Sequence, residues 1–359
     1  MNVLHLIDAA CPQACPATYA LIADTFNTDR ASQSHVWLLG GPQLAHDAAA
    51  ANLNYQRRIA VPRGHALLGL PAVRHHLRRH APADRIQHIH AWSASSLALA
   101  RLLMPRVPRT LMLTQTPSPA AVAAIVRLLA HPGPTCTEVQ TLTSDIADTL
   151  AAAGAATHLI KPLPMILDPH RLDATDAHRE ALRRRWGAAD PSARVIALVT
   201  DPPTACNARA AAITLALTHE SVRRDPHPPG LTLLVHPDQQ AGLEARELSQ
   251  ALGNPIRIVQ ESQLAAPWQV LAGIDIALAT GPGAAGLGLA WARVANVPIL
   301  AACDGVATDQ LLGRESAVLA ENDQPRQLAH HLTTMLRSLQ EAPEPCRTRR
   351  RPTSEPATT

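Results

Sequence analysis

The chain has 359 residues, with 32 lysines and arginines against 29 aspartates and glutamates, and a formal net charge of +3 at pH 7. This near-neutral balance gives no electrostatic argument for a nucleic-acid partner. The length is sufficient for two domains of ordinary size.

The cysteines and the first ten residues give no sign of a metal-binding, disulfide-rich or secreted protein. The six cysteines show no C-x-x-C spacing and no dense framework, so neither a zinc ribbon nor a disulfide scaffold is indicated. The opening residues, MNVLHLIDAA, suit a β-strand better than a signal peptide, and no uncharged run suits an integral membrane segment. We therefore expect a cytoplasmic location, either free or peripherally attached to the inner membrane.

Short apolar runs alternate with helical patterns in the first half, which is typical of a parallel sheet covered on both faces. Ser144 with Asp145 is a favourable start for the last helix of this half, and Gly154 is a favourable stop. The predicted strands are Asn2 to Ile7, His35 to Leu39, Ile86 to Ala91, Thr110 to Thr114, Glu138 to Leu142 and His158 to Ile160. The predicted helices are Ala17 to Phe26, Gly69 to His80, Ser93 to Met104, Pro119 to Leu129 and Ser144 to Ala152.

The same alternation returns in the second half. The predicted strands are Val195 to Val199, Leu231 to Val235, Ile256 to Val259, Ile274 to Ala279 and Pro298 to Ala302, followed by a helix at Gln327 to Leu339. We interpret the chain as an α/β protein with two Rossmann-like doubly wound domains. The predicted divisions are an N-terminal domain at 1–165, a linker at 166–190, a C-terminal domain at 191–340 and a disordered tail at 341–359.

The stretch from Ile274 to Gly305 predicts a strand, a glycine-loosened turn, a helix and a second strand. Its AGID, ARVANVP and CDG segments resemble the donor-sugar half-site of the GT-B retaining glycosyltransferases of family 4. Ile166, Asp168 and the pair Arg171-Leu172 are in the matching places of that family's linker. The resemblance implies two Rossmann-like domains facing a cleft, with the acceptor bound by the N-terminal domain and a nucleotide-sugar donor by the C-terminal one.

The motifs that carry the family's chemistry are degenerate in this chain. Gly283 and Trp291 stand where the family has its paired Glu residues, so no catalytic carboxylate is expected there. An indole at Trp291 either fills space or stacks on a base or sugar ring. The loop Asp8 to Thr18 also lacks the family's glycines, which let the backbone approach phosphates.

The family's basic pair, which neutralises the leaving diphosphate, is also missing. Its Arg position falls near Thr200-Asp201 and its Lys position near Cys206-Asn207. Arg209, two residues beyond, is either a phosphate contact or a solvated helix arginine. Thr200, Asn207 and Arg209 are therefore the donor-binding candidates of this region.

The strand end QHIHAWSASS resembles the family's histidine-bearing strand that faces the acceptor. His88 and His90 share one face, because side chains alternate along a strand. His90, nearer the carboxyl end, is the catalytic candidate, contacting acceptor or donor hydroxyls. The alternative is a chance placement in a chain with 18 histidines. A metal site is not expected, because no third ligand lies at a supporting spacing.

The resemblance adds further donor-binding candidates. Val259 and Gln260 match the position where the family's main chain pairs with the nucleotide base. Asp304 and Gly305 match a turn where the backbone approaches the bound sugar, and the alternative for them is an ordinary strand-to-helix turn. Gly283 joins them at the first of the two Glu positions.

Three functions fit these features. The first is a glycosyltransferase that moves a sugar from a nucleotide-sugar donor to an unknown acceptor, such as a glycan or a lipid-linked sugar, without cofactor or metal. The second is a catalytically inactive GT-B protein that acts as a binding or scaffold module. The third, a nucleotide-sugar epimerase, needs carboxylates that we cannot place. Hydrolase and P-loop motifs are absent from the sequence.

Overall fold

The chain divides into two units, Met1–Leu167 and Asp168–Thr359. The boundary falls inside the segment 166–190 that is predicted as a linker. The structure is a computed structural model, and it describes residues 2–8, 16–28, 33–51, 53, 55, 57–60, 70–80, 86–114, 117–130, 137–163, 167–172, 175–199, 207–236, 240–251, 253, 256–280, 286–302 and 317–341.

A parallel sheet forms the centre of the first unit. Its described strands are β1 (Asn2–Asp8), β2 (Gln33–Leu39), β3 (Arg57–Ile59), β4 (His88–Ala91), β5 (Arg109–Leu113), β6 (Thr137–Thr141) and β7 (Ile160–Pro162). Neighbouring strands are parallel throughout, in the order β3-β2-β1-β4-β5-β6-β7. The order reverses between β1 and β4, which is the topological switch point of a Rossmann-like sheet.

Helices connect these strands, and most lie where the sequence predicts them. They are α1 (Pro16–Thr28), α2 (Pro42–Ala50), α3 (Leu70–His80), α4 (Ala94–Leu103), α5 (Pro119–Ala130) and α6 (Ser144–Ala152). The prediction misses α2 and β3, since β3 is a three-residue strand, RRI, without an apolar run. The strand predicted at His158 to Ile160 is wrong in its first two residues, because Thr157–Leu159 forms a 3-10 turn.

The two ends of α6 test the predicted start and stop signals of this helix. The helix starts at Ser144, but its N-cap is Thr143, whose side chain makes no capping bond. Gly154 follows the helix with a φ of 98°, a left-handed conformation that glycine adopts without strain. The predicted stop is therefore correct, and the predicted cap is displaced by one residue.

The two faces of the first sheet differ in chemistry. Leu4, Leu6 and Ile89 lie on the face that packs, with Trp37 and Leu99, into one buried apolar cluster. Side chains alternate along a strand. The intervening residues of β1 and β4, which include three histidines, therefore lie on the opposite face.

The second unit is built around a second parallel sheet. Its described strands are β8 (Arg194–Leu198), β9 (Leu231–Val235), β10 (Arg257–Gln260), β11 (Ile276–Ala279), β12 (Ile299–Ala302) and β13 (Ala317–Ala320). They run in the order β10-β9-β8-β11-β12-β13, and all neighbours are parallel. The switch point of this sheet lies between β8 and β11. The chain is thus an α/β protein with two Rossmann-like units.

Helices also cover the second sheet. They are α7 (Asp176–Arg185), α8 (Ala208–Val222), α9 (Gln240–Ala251), α10 (Leu287–Val294) and α11 (Pro325–Glu341). Leu215 of α8 and Leu332 of α11 are fully buried against strand residues such as Leu233 and Leu278. Glu341, where the predicted tail begins, is the last residue of α11, and the rest of that tail lies outside the described residues. No helix in the described ranges combines the length and apolarity needed to cross a bilayer.

A buried ion pair ties the predicted linker to the second sheet. The Asp275 carboxylate accepts hydrogen bonds from Arg183 Nη1 at 2.8 Å and from Arg179 Nη2 at 3.2 Å. It also accepts the main-chain N–H of Val195 at 2.8 Å. The side chains of Arg183 and Asp275 are only 9% and 10% exposed. Asp275, the acid of the AGID segment, therefore holds α7 against the starts of β8 and β11 and plays a structural part.

Candidate functional site

In parallel α/β sheets, ligands bind beyond the carboxyl ends of the strands at the switch point. Each unit has one such point. In the first unit it lies between β1 and β4. In the second it lies between β8 and β11.

A row of histidines crosses the switch point of the first unit. His5 on β1 is the direct parallel partner of His90 on β4, and their ring centroids lie 4.6 Å apart. His88 lies on the same face, with its ring 5.1 Å from that of His90. A hydrogen bond of 2.9 Å joins His88 Nε2 to Thr110 Oγ1 on β5. The sequence indicates His88 and His90 but gives no signal for His5, because its neighbour comes from a distant strand.

Hydrogen bonding fixes the protonation of His5. Trp92 Nε1 donates to His5 Nδ1 at 3.3 Å, and an indole N–H can only donate. His5 Nδ1 is therefore an acceptor, and the ring carries its proton on Nε2. Burial lowers the pKa of His5 well below its usual value, and charges on His90 and His88 lower it further. His5 is neutral at physiological pH.

His90 is also neutral, and its Nδ1 is buried. Burial, reinforced by His88, lowers the pKa of His90 to about 4. Burial likewise lowers the pKa of His88, although the Glu138 carboxylate opposes this shift. His90 Nδ1 is buried without a hydrogen-bond partner among the described residues. His90 is therefore neutral and partly buried, and its contact with an acceptor or donor hydroxyl stays a prediction.

A buried carboxylate lies at the carboxyl end of β1. Asp8 is 1% exposed, and its Oδ2 accepts a hydrogen bond from Ser93 Oγ at 2.5 Å. Ser93 is the N-cap of α4 and forms a capping box with Ser96. In the sequence, Asp8 is notable only as the start of a glycine-poor loop. Its position at the last residue of β1, beside the switch point, is the signal that indicates a site.

The switch point of the second unit is formed by the start of α8. Asn207 is its N-cap, and the side-chain oxygen accepts from the N–H of Ala210 at 2.9 Å. The main chain of Asn207 is bonded to Thr280, which follows β11, through Asn207 N to Thr280 O at 3.1 Å. Arg209 is exposed on the first turn of α8. The Asn207 side chain is thus occupied by capping, while Arg209 points to solvent as a cation near the switch point.

Trp291, at the second Glu position, is fully buried on α10. Its ring centroid lies 5.4 Å from that of Trp268, and the Arg171 guanidinium lies 5.8 Å from the Trp268 ring. The indole therefore fills the interior of the second unit. The remaining candidates, Thr200, Gly283, Asp304 and Gly305, lie outside the described residues.

An open cavity of about 320 Å³ lies just beyond the carboxyl end of β10. The buried Glu261 carboxylate lies in its wall. This carboxylate accepts a hydrogen bond from Trp186 Nε1 at 2.8 Å and forms an ion pair with Arg185. Arg185 Nη2 also donates to Gln263 Oε1 at 2.9 Å. The lining residues are Arg185, Trp186, Val259, Gln260, Glu261, Ser262 and Gln263.

The main chain of β10 offers hydrogen-bonding groups beside this cavity. In the described sheet, β10 pairs only with β9. The N–H of Glu261 points toward β9, since it donates to Val235 O at 2.8 Å. In a parallel strand, alternate residues point their N–H and C=O groups to opposite sides. The N–H and C=O of Gln260 therefore face away from β9, at the free edge of the sheet. Among the described residues no group of three or more His, Cys, Asp or Glu side chains could hold a metal ion.

Comparisons with known proteins identify the fold. Neither a protein-family model nor a curated protein sequence matches the chain. The chain is similar to Anabaena HepE in complex with UDP and glucose, with 16% identity, a TM-score of 0.71, and coverage of 95% of this chain and 91% of that one. It is similar to a glycosyltransferase from Rickettsia africae, with 12% identity, a TM-score of 0.70, and coverage of 94% and 88%.

A UDP-GlcNAc 2-epimerase from Neisseria meningitidis bound to UDP-GlcNAc is also similar, with 10% identity, a TM-score of 0.60, and coverage of 95% and 92%. At these identities the likeness establishes the architecture. The chain therefore has the fold of two Rossmann-like domains that GT-B glycosyltransferases and UDP-GlcNAc 2-epimerases share.

Proposed function

We propose that this protein is a glycosyltransferase that binds a uridine diphosphate sugar in its second unit. The observation that carries the proposal is the free main-chain edge of Gln260 beside the cavity at the end of β10. An N–H and a C=O side by side match the adjacent acceptor and donor groups of a nucleobase edge. The structures of HepE with UDP-glucose and of the epimerase with UDP-GlcNAc support uridine as the base.

The diphosphate of the donor belongs at the start of α8 in this proposal. A helix N-terminus presents N–H groups and positive potential to an anion. α8 is 15 residues long, and its first turn carries the exposed Arg209. Arg209 stabilises the leaving diphosphate as its charge grows during transfer.

His90 serves the acceptor side in the same proposal. Its neutral ring suits a hydrogen bond to an acceptor hydroxyl. A pKa of about 4 makes His90 a weak base, so its proposed part is to orient the hydroxyl and not to remove its proton. The acceptor itself is proposed to be a glycan or a lipid-linked sugar.

A second candidate is a nucleotide-sugar binding protein without turnover. The fully buried Trp291 favours it, because the position expected for a catalytic carboxylate holds an indole that packs on Trp268. Both candidates share the same donor cavity. They differ only in whether the bound sugar leaves the nucleotide.

Thermal-shift titration with UDP, GDP and ADP tests the shared part of the proposal. UDP at about 100 times its Kd is expected to stabilise the protein by about 2.7 kcal/mol, because it binds only the native state. GDP and ADP are expected to give smaller shifts. Equal shifts with all three would contradict a uridine site, and no shift at millimolar concentration would contradict a donor site.

Release of UDP from UDP-sugars then separates the two candidates. A glycosyltransferase is expected to release UDP from at least one sugar when an acceptor mixture is added. Binding of UDP without release from any UDP-sugar would support the protein without turnover.

A further inference from the structure

The cavity at the end of β10 contains an arginine that the predicted donor residues do not include. Arg185 is the last residue of α7 and comes from the predicted linker, 76 positions before Glu261. Its side chain is 46% exposed, although Glu261 and Gln263 both hold its Nη2 atom. The guanidinium is thus fixed in position and still open to the cavity.

Charge compensation alone does not require this exposure. Glu261 already accepts the Trp186 indole N–H at 2.8 Å and the main-chain N–H of Gln263 at 3.0 Å. The Arg185 guanidinium lies over the Trp186 ring, 5.9 Å from the ring centroid. The partly exposed side chain also lines the same cavity as the free edge of Gln260.

The guanidinium is planar and stacks on aromatic faces as well as donating hydrogen bonds. The main-chain groups of Gln260 can bond a nucleobase in its plane but leave its face uncovered. A positioned guanidinium supplies the missing contact. Lysine cannot replace it, because an ammonium group has no plane.

We propose that Arg185 is a donor-binding residue that stacks its guanidinium on the nucleobase while the main chain of Gln260 pairs with the base edge. This inference rests on the proposed function, because it assigns a base to the donor cavity. It places the base in the second unit between a linker helix and the edge strand. In this proposal the diphosphate does not contact Arg185.

The test compares three probes, UDP, uridine and inorganic pyrophosphate, by titration calorimetry, with uridine measured by competition against UDP. Arg185→Ala is expected to weaken the binding of UDP and of uridine by the same factor, about tenfold. Pyrophosphate binding is expected to stay unchanged. Arg185→Lys, which keeps a cation beside Glu261 and so preserves the fold, is expected to weaken uridine almost as much.

Two further variants serve as controls. Arg209→Ala is expected to show the opposite pattern. It should bind UDP and pyrophosphate more weakly and bind uridine with unchanged affinity. Arg223→Ala removes an exposed arginine that pairs with Glu220 on the surface, and it is expected to change none of the three.

Each outcome bears on the inference. Wild-type affinity for uridine in both Arg185 variants, or restored affinity in Arg185→Lys, would overturn it and leave the proposed function standing. Weaker pyrophosphate binding in Arg185→Ala would place the arginine at the diphosphate and overturn the base assignment. A wild-type protein that binds none of the probes would overturn the proposed function and this inference together.

Discussion

Replacing Asp275 with Asn is expected to lower the free energy of unfolding by about 3 to 5 kcal/mol, the cost of breaking a buried ion pair from one side. The carboxylate accepts hydrogen bonds from Arg179, Arg183 and the N–H of Val195. An amide would turn one NH₂ group toward these donors and leave the nearly buried Arg183 guanidinium uncompensated. The loss falls on the second unit, where α7 meets the starts of β8 and β11.

Urea unfolding followed by tryptophan fluorescence measures this change. Trp186, Trp268 and Trp291 all report on the second unit. Glu220→Gln, which breaks a surface pair with Arg223, is the matched control and is expected to leave the midpoint unchanged. A midpoint for Asp275→Asn equal to that of the control would show that the pair does not hold α7 in place.

The second large effect is a loss of stability of the first unit in acid. His90 has a pKa of about 4 in the folded protein. The ordinary value for an unfolded chain is about 6.5. The unfolded state therefore binds the proton first, so the stability due to neutral His90 is complete above pH 6.5 and is lost as the pH falls toward 4. Roughly 3 kcal/mol is expected to be lost over that range.

Among the described residues, the titratable groups that face His90 are His5 across the strand pair and His88 on the same strand, with Glu138 beyond His88. Positive charges on His5 and His88 would disfavour a positive charge on His90. The Glu138 carboxylate favours protonation of His88 only. Protonation of the row is therefore unfavourable as a whole. The first unit is expected to open before the row becomes charged.

Urea unfolding at a series of pH values from 7 to 4 checks this prediction. His90→Gln is expected to flatten the decline in stability, because a neutral amide has no proton to gain. His46→Gln on the exposed face of α2 is the control and is expected to keep the wild-type decline. A His90→Gln protein with the same acid sensitivity as wild type would contradict a buried neutral His90.

The sequence predicts the strands well because each is a short apolar run in a repeated alternation. It predicts β1, β4 and β9 close to their observed bounds. It misses α8, in which buried alanines and threonines surround Leu215 and no single apolar face repeats. It also misses β13, a short edge strand with the sequence AVLA. Local patterns do not record pairing between distant strands, and short edge strands depend on that pairing.

The candidate site is less accessible to sequence reasoning. The AGID segment belongs to the family resemblance, and the structure shows that its Asp275 pairs with Arg179 and Arg183 from the predicted linker. His5 becomes notable only when β1 pairs with β4, and Arg185 only when α7 packs beside β10. Such contacts join residues far apart in the chain. A motif read along one segment therefore cannot find them.

Diffraction from crystals grown with UDP is the most direct test of the donor site. We predict density for uracil in the cavity beyond β10, with its polar edge bonded to the N–H and C=O of Gln260. The diphosphate is expected near the start of α8. Uracil bound elsewhere on the chain, or a cavity that stays empty at saturating UDP, would contradict the account.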